Sequence, residues 1–146
     1  MITKIALGAD HAGYEYKDKL IAYLSENGYE CVDCGTNGPE SVDYPVHASK
    51  VCELVRGGEC SFGILVCGTG IGMSIAANKH RGIRAALCNE AESTAMTRHH
   101  NNSNVLCLGA RMIPFETALE LTKVFLTTEF DSGRHERRVK MLDNLL

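Results

Sequence analysis

Residues 62–79 read Phe62-Gly63-Ile64-Leu65-Val66-Cys67-Gly68-Thr69-Gly70-Ile71-Gly72-Met73-Ser74-Ile75-Ala76-Ala77-Asn78-Lys79. The apolar run Phe62–Val66 has the length and composition of a strand, and Met73–Lys79 is patterned as a helix. A glycine-rich turn joins them. Such a turn leaves several backbone N–H groups unpaired and aims them at one spot, and the dipole of the following helix adds positive charge there. An anion fits that place. Nucleotide folds use similar turns, so the glycines alone say little. Cys67 at the mouth of the turn is more specific, because positive surroundings favour the thiolate, the form that takes a proton or attacks carbon.

Outward from this unit the same alternation continues. Strands are expected at Lys4–Ala9, Tyr29–Asp33, Phe62–Val66, Ile83–Cys88 and Val105–Gly109. Helices are expected at Tyr14–Glu26, Pro45–Val55, Met73–Lys79, Ala91–Arg98, Pro114–Thr127 and Glu136–Leu145. In the first helix Leu20, Ile21 and Leu24 form an apolar stripe opposite Lys17, Asp18 and Lys19. Alternating strands and helices, with strands apolar almost throughout, imply an α/β fold: a parallel sheet covered by helices on both faces. The chain of 146 residues is read as one domain, 1–146, and its longest loop as Cys34–Asp43.

Composition narrows the function. A formal net charge of −3 gives no general attraction to nucleic acid or anionic membrane, so an acidic ligand needs a local cluster of cations. Tryptophan is absent and other aromatics are few, which argues against a base-stacking platform. No apolar run approaches the roughly 18 residues that span a bilayer, and the N-terminal stretch is too soon interrupted for a signal peptide. A cytoplasmic location is expected. The 7 cysteines are an odd number in largely apolar contexts, fitting free thiols in a reducing compartment. Cys31 and Cys34 have C-x-x-C spacing without a second ligand pair, and are read as structural. No H-x-x-x-H, paired C-x-x-C or carboxylate cluster with metal spacing is present, so no metal is expected.

In a parallel sheet, ligands bind beyond the carboxyl ends of the strands. Asp10 and His11, Cys67 to Gly72, Asn89 and Glu90, and Arg111 all follow strands and share that rim. Asp10 reads either as a turn and helix cap or as a site residue, and the adjacent His11 favours the site. His99, His100 and Asn101 end a helix, which places them at the opposite rim of their own chain. They reach the first group only across an oligomer contact or by an unusual loop path. His100 and its neighbours can equally be a helix C-terminal cap. Arg134 and Arg138 lie four apart on one helical face, and two guanidinium forks there match a phosphate. Cations at a helix start oppose its dipole, a cost a ligand anion offsets. His47 and His80 are read as ordinary surface residues.

The motifs Gly8-Ala9-Asp10-His11-Ala12-Gly13, Asp43-Tyr44-Pro45, Cys67-Gly68-Thr69-Gly70-Ile71-Gly72, Ile75-Ala76-Ala77-Asn78-Lys79, His100-Asn101-Asn102-Ser103-Asn104-Val105, Gly109-Ala110-Arg111 and Gly133-Arg134-His135 occur in this order. With them the chain resembles, over nearly its whole length, the type B ribose-5-phosphate isomerase family, which also holds allose-6-phosphate and galactose-6-phosphate isomerases. The resemblance implies a three-layer α/β/α, Rossmann-like fold with a five-stranded parallel sheet, and an isomerase of the pentose phosphate pathway. It implies a homodimer, sometimes a homotetramer, whose sites draw on both subunits. Cys67 is then the base and His100 the acid that opens the sugar ring, with Thr69 and Asp10 also catalytic. Asp10 partners sugar hydroxyls, Gly68, Thr69, Gly70, Ile71 and Gly72 form the anion hole, and Asn101 joins His100. His11, Arg111, Arg134 and Arg138 cradle phosphate. One branch of the family carries a glutamate where this chain has Met73, so Cys67 assigns the chain to the cysteine branch. His99 is a bystander in this scheme. A preference for a six-carbon sugar, phosphorylated or free, stays open, as does a non-catalytic sugar-phosphate or flavin-binding module.

Overall fold

Successive residues of the strand Phe62–Cys67 bury on opposite sides: Ile64 and Val66 enter one apolar cluster, Leu65 and Cys67 another. That is why the strand is apolar throughout. The computed structural model describes residues 2–146. Strands β1 (Lys4–Ala9), β2 (Glu30–Asp33), β3 (Phe62–Cys67), β4 (Ala85–Leu87) and β5 (Val105–Gly109) make one parallel sheet in the order β2-β1-β3-β5-β4. The helices are α1 (Tyr14–Glu26), α2 (Tyr44–Arg56), α3 (Ile71–Ala77), α4 (Ala91–Asn101), α5 (Phe115–Thr127) and α6 (Arg134–Asp143).

Two cores give the three layers. On one face Leu20 and Leu24 of α1 and Leu121 and Phe125 of α5 meet Ile5, Leu7, Ile64, Val66, Leu106 and Leu108. On the other, Val51 and Cys52 of α2 and Met73 and Ala77 of α3 meet Ala6, Leu65, Cys67, Val105 and Cys107. Each fully buried leucine or isoleucine contributes about 1.5–3 kcal/mol. The chain leaves β1 for β2 on one side and returns to β3 on the other, so the strand order reverses between β1 and β3. In folds of this kind, ligands bind at such a reversal, beyond the carboxyl ends of the strands.

Several boundaries move for local reasons. α3 starts at Ile71 rather than Met73, because Gly70 takes a left-handed φ of 78° and closes the turn earlier. α3 also stops at Ala77. The Asn78 amide then pairs with both backbone groups of Ala85, covering the sheet edge at β4. β4 is correspondingly short, since the Arg84 N–H goes to the Asn104 side chain. α4 runs on to Asn101 and ends at Asn102, which has a left-handed φ of 47°. α6 begins at Arg134, two residues before the expected start.

Three side chains depart from expectation. Lys17 is not on the solvated face of α1 but is fully buried. His47 is buried too, and its Nδ1–H donates to the Cys34 carbonyl at 3.0 Å. His80 is half-buried between α2 and α3, bonding Ser49 Oγ at 3.1 Å and the Ala76 carbonyl at 3.0 Å. All 7 cysteines are free, Cys31 and Cys34 included. Burial pushes the Cys34 thiol up to about 11, the Cys52 thiol up to about 12, and Cys107 well above its ordinary value.

Candidate active site

The end of β1 is bound to the end of β3. The Asp10 N–H donates to the Val66 carbonyl at 3.2 Å, and the backbone at Gly13 runs so close that a Cβ there would lie 2.4 Å from the Val66 oxygen. Only glycine fits at 13. One carboxylate oxygen of Asp10 accepts the N–H groups of Ala12 and Gly13, at 2.9 and 3.1 Å. Half of this buried carboxylate thus shapes the turn into α1; among the described residues no hydrogen bond reaches its other oxygen. His11 Nδ1 accepts the Val42 N–H at 3.3 Å, so a neutral ring carries its proton on Nε2.

Beyond β3 the turn folds back over its own cysteine. The Gly70 N–H donates to Cys67 Sγ at 3.1 Å. Cys67 is 5% exposed, at the surface end of its apolar cluster. The N–H of Ile71 goes to Thr69 Oγ1 at 3.2 Å, leaving the threonine hydroxyl proton free to donate. Among the described residues the N–H groups of Thr69, Gly72 and Met73 have no backbone acceptor. α3 has only seven residues, so little macrodipole acts here, and the turn's own amides supply the positive character. Arg111, just past β5, donates its N–H to the Gly68 carbonyl at 2.9 Å, and its guanidinium lies 3.1 Å from where a Gly68 Cβ would stand. The Tyr44 ring covers the turn from the α2 side, 2.6 Å from where a Gly72 Cβ would be. Asp10, His11, Cys67 to Gly72 and Arg111 therefore do share one rim.

His100, Asn101, Arg134 and Arg138 do not join them within the chain. The register pairs Gly63 with Val105 and Cys67 with Gly109, so β5 begins one strand length from Cys67, about 13 Å away at 3.3 Å per residue. α4 ends beside that start. There, His100 stacks on His135 with ring centroids 4.4 Å apart. His99 is no bystander to the structure: its Nδ1 meets Asp131 Oδ1 at 2.7 Å, and its carbonyl accepts the Asp131 N–H at 3.0 Å. Arg98 fixes the same helix end, donating to the Thr128 and Ser103 carbonyls and to Asn102, with its guanidinium over Phe62 and Phe125. His100, Arg134 and Arg138 thus gather round His135 at the far rim.

Tyr44 belongs to the Asp43-Tyr44-Pro45 motif, and the structure places it over the turn, a position the motif alone does not assign. Its signal was available: Pro45 fixes the first turn of α2, so the residue before it stands at a helix entrance. Among the described residues no group of three or more His, Cys, Asp or Glu is placed to hold a metal ion, and no helix is long and apolar enough to cross a membrane.

Fold and site together define an α/β protein with a glycine-rich turn carrying a cysteine at the reversal point of a parallel sheet. The family model described as Ribose/Galactose Isomerase matches residues 5–142, and the chain belongs to that family. It is 46% identical over 141 residues to ribose-5-phosphate isomerase B of Escherichia coli, covering 97% of this chain and 95% of the relative. Solved structures titled as ribose-5-phosphate isomerase B agree throughout. That from Clostridium thermocellum has a TM-score of 0.95 at 48% identity, covering 97% of this chain and 95% of its own. That from Thermotoga maritima has a TM-score of 0.95 at 50% identity, covering 98% and 99%.

Proposed function

We propose that this chain is an aldose–ketose isomerase that interconverts ribose 5-phosphate and ribulose 5-phosphate through a cis-enediolate. The observation that carries the reading is Cys67, whose sulfur takes the Gly70 N–H at 3.1 Å inside a turn with further unpaired amides and Arg111 beside it. The relatives named above bear the same activity in their names.

The furanose opens first, with His100 giving a proton to the ring oxygen. Cys67 then takes the proton on carbon 2 of the open aldose and returns a proton to carbon 1, while the hydroxyl proton on oxygen 2 passes to oxygen 1 of the enediolate. Negative charge that builds on oxygen between these steps is met by the unpaired amides of the Gly68–Gly72 turn and the free hydroxyl proton of Thr69. Removing one such donor typically costs about 2.7–4 kcal/mol. The free oxygen of Asp10 receives a sugar hydroxyl. His11, Arg111, Arg134 and Arg138 grip the phosphate, and that remote binding holds the reacting carbons against the sulfur. Moving a proton between neighbouring carbons asks for no redox partner, and the scheme uses no cofactor.

Because His100, Asn101, Arg134 and Arg138 stand at the far rim, the scheme takes them from a second copy of the chain. The rim around the turn is apolar and exposed at Val46, Ile71 and Ile75, surface that association covers. A homodimer with shared sites, alone or paired into a tetramer, follows. Free thiols throughout fit the reducing cytoplasm, where we place the protein. Incubation with ribose 5-phosphate in deuterium oxide tests the reading. Deuterium on carbon 1 of ribulose 5-phosphate is expected, at a higher kcat/KM than with allose 6-phosphate or free allose. Absence of ribulose 5-phosphate formation overturns it.

A further inference from the structure

An ammonium group buried without partners is heavily penalised, so a fully buried lysine marks a place where its bonds matter. Lys17 has no exposed side-chain surface, and its three N–H bonds all have oxygen acceptors. They go to Asp18 Oδ1 at 2.7 Å, Asp33 Oδ1 at 2.8 Å and Asn37 Oδ1 at 2.9 Å. Asp33 closes β2 and also accepts the Gly35 N–H at 2.9 Å. The chain then runs alongside the end of β1, exchanging bonds of 2.7 Å between Ala9 and Gly35 and between Thr36 and Ala9. Asn37 is its last side-chain anchor before the exposed residues Pro39, Glu40 and Ser41. On the far side of these, Val42 holds His11 Nδ1, and Tyr44 covers Gly72.

We propose that Lys17 is a positioning residue: by clamping Asp33 and Asn37 it fixes the 34–43 segment, and that segment sets the imidazole of His11 and the ring of Tyr44 beside the anion turn. The inference rests on the phosphate-gripping role given to His11 above. With Nδ1 occupied by the Val42 N–H, the ring proton stays on Nε2, where it can be donated to an anion. Releasing the segment lets the ring exchange tautomers, and the donor is present only part of the time.

Long-range 1H–15N correlation of the imidazoles in 15N-labelled protein, with steady-state kinetics on ribose 5-phosphate, tests this in Lys17→Met and Asn37→Ala. Wild type is expected to show His11 as a single Nε2–H tautomer. Asn37→Ala, which keeps the Lys17–Asp33 pair and the fold, is expected to mix the tautomers and raise KM about tenfold with kcat nearly unchanged, and Lys17→Met to act more strongly. If Lys17→Met does not fold, Asn37→Ala decides alone. A retained Nε2–H tautomer in the folded variants overturns the clamp, whatever KM does. Mixed tautomers with unchanged KM uphold the clamp and remove His11 from the phosphate grip, so the two failures are told apart.

Discussion

His100 and His135 lie ring on ring, with planes 18° from parallel and centroids 4.4 Å apart, joining the last turn of α4 to the first turn of α6. The stack puts two titratable rings in contact. Protonating both is unfavourable. His135 is held below its ordinary pKa, first by loss of hydration and then by His100, Arg134 and Arg138.

A pH dependence follows. A histidine whose folded pKa is depressed binds fewer protons in the folded state than in the unfolded one, so stability rises with pH through that window. Below the unfolded value of about 6.5, protonation penalises the fold. Urea unfolding between pH 7 and pH 5 should show the loss, and His135→Asn should flatten its slope. A slope unchanged in the variant removes His135 as its source.

Cys67→Ala should lower kcat by at least about 10²–10⁴, the usual contribution of a placed base. Affinity for ribose 5-phosphate, measured by calorimetry, should stay within a few-fold, since the phosphate contacts are untouched. Turnover at the wild-type rate would dismiss the sulfur as base.

Arg138→Ala should act on KM. A hydrogen bond to a charged group is worth about 1.5–3 kcal/mol, so KM for phosphorylated sugars should rise about ten- to a hundredfold with kcat little changed. Activity on an unphosphorylated sugar should not move.

Mixing two inactive variants tests the shared site. Cys67→Ala and His100→Asn damage opposite rims, so half of the dimers formed by random exchange carry one intact site. About a quarter of wild-type activity should return after joint refolding. No recovery from two folded variants would place both groups in one chain's site.

Gly70→Ala should damage turn and fold together. Position 70 has φ 78°, and an added Cβ would lie 3.0 Å from the Leu108 carbonyl carbon and 2.5 Å from a Leu87 methyl. A strained backbone position of this kind costs of order 1–3 kcal/mol. Thermal unfolding should show that loss, and the Gly70 N–H should no longer reach Cys67. A variant with unchanged Tm and kcat would argue against the turn as the oxyanion site.

The strand–turn–helix unit at residues 62–79 and its cysteine were legible because they rest on local signals: an apolar run, glycines, then helical pattern. The rims were legible too, since in a parallel sheet every strand end faces one way, and chain order alone separates Cys67 from His100. Burial of polar groups was not legible. Lys17 looks like one more charge on a helix face, yet its acceptors Asp33 and Asn37 lie sixteen and twenty residues away. His47 and His99 likewise gain their partners, the Cys34 carbonyl and Asp131, from segments distant in the chain. Apolar periodicity, turn chemistry and chain order are properties of neighbours along the sequence, and they determined the layers, the strand ends and the residues offered to an anion. Which polar groups lie in contact depends on where separate elements stop and cross, so the clamp at Lys17, the stack at His100 and the cover by Tyr44 were decided only when the chain folded.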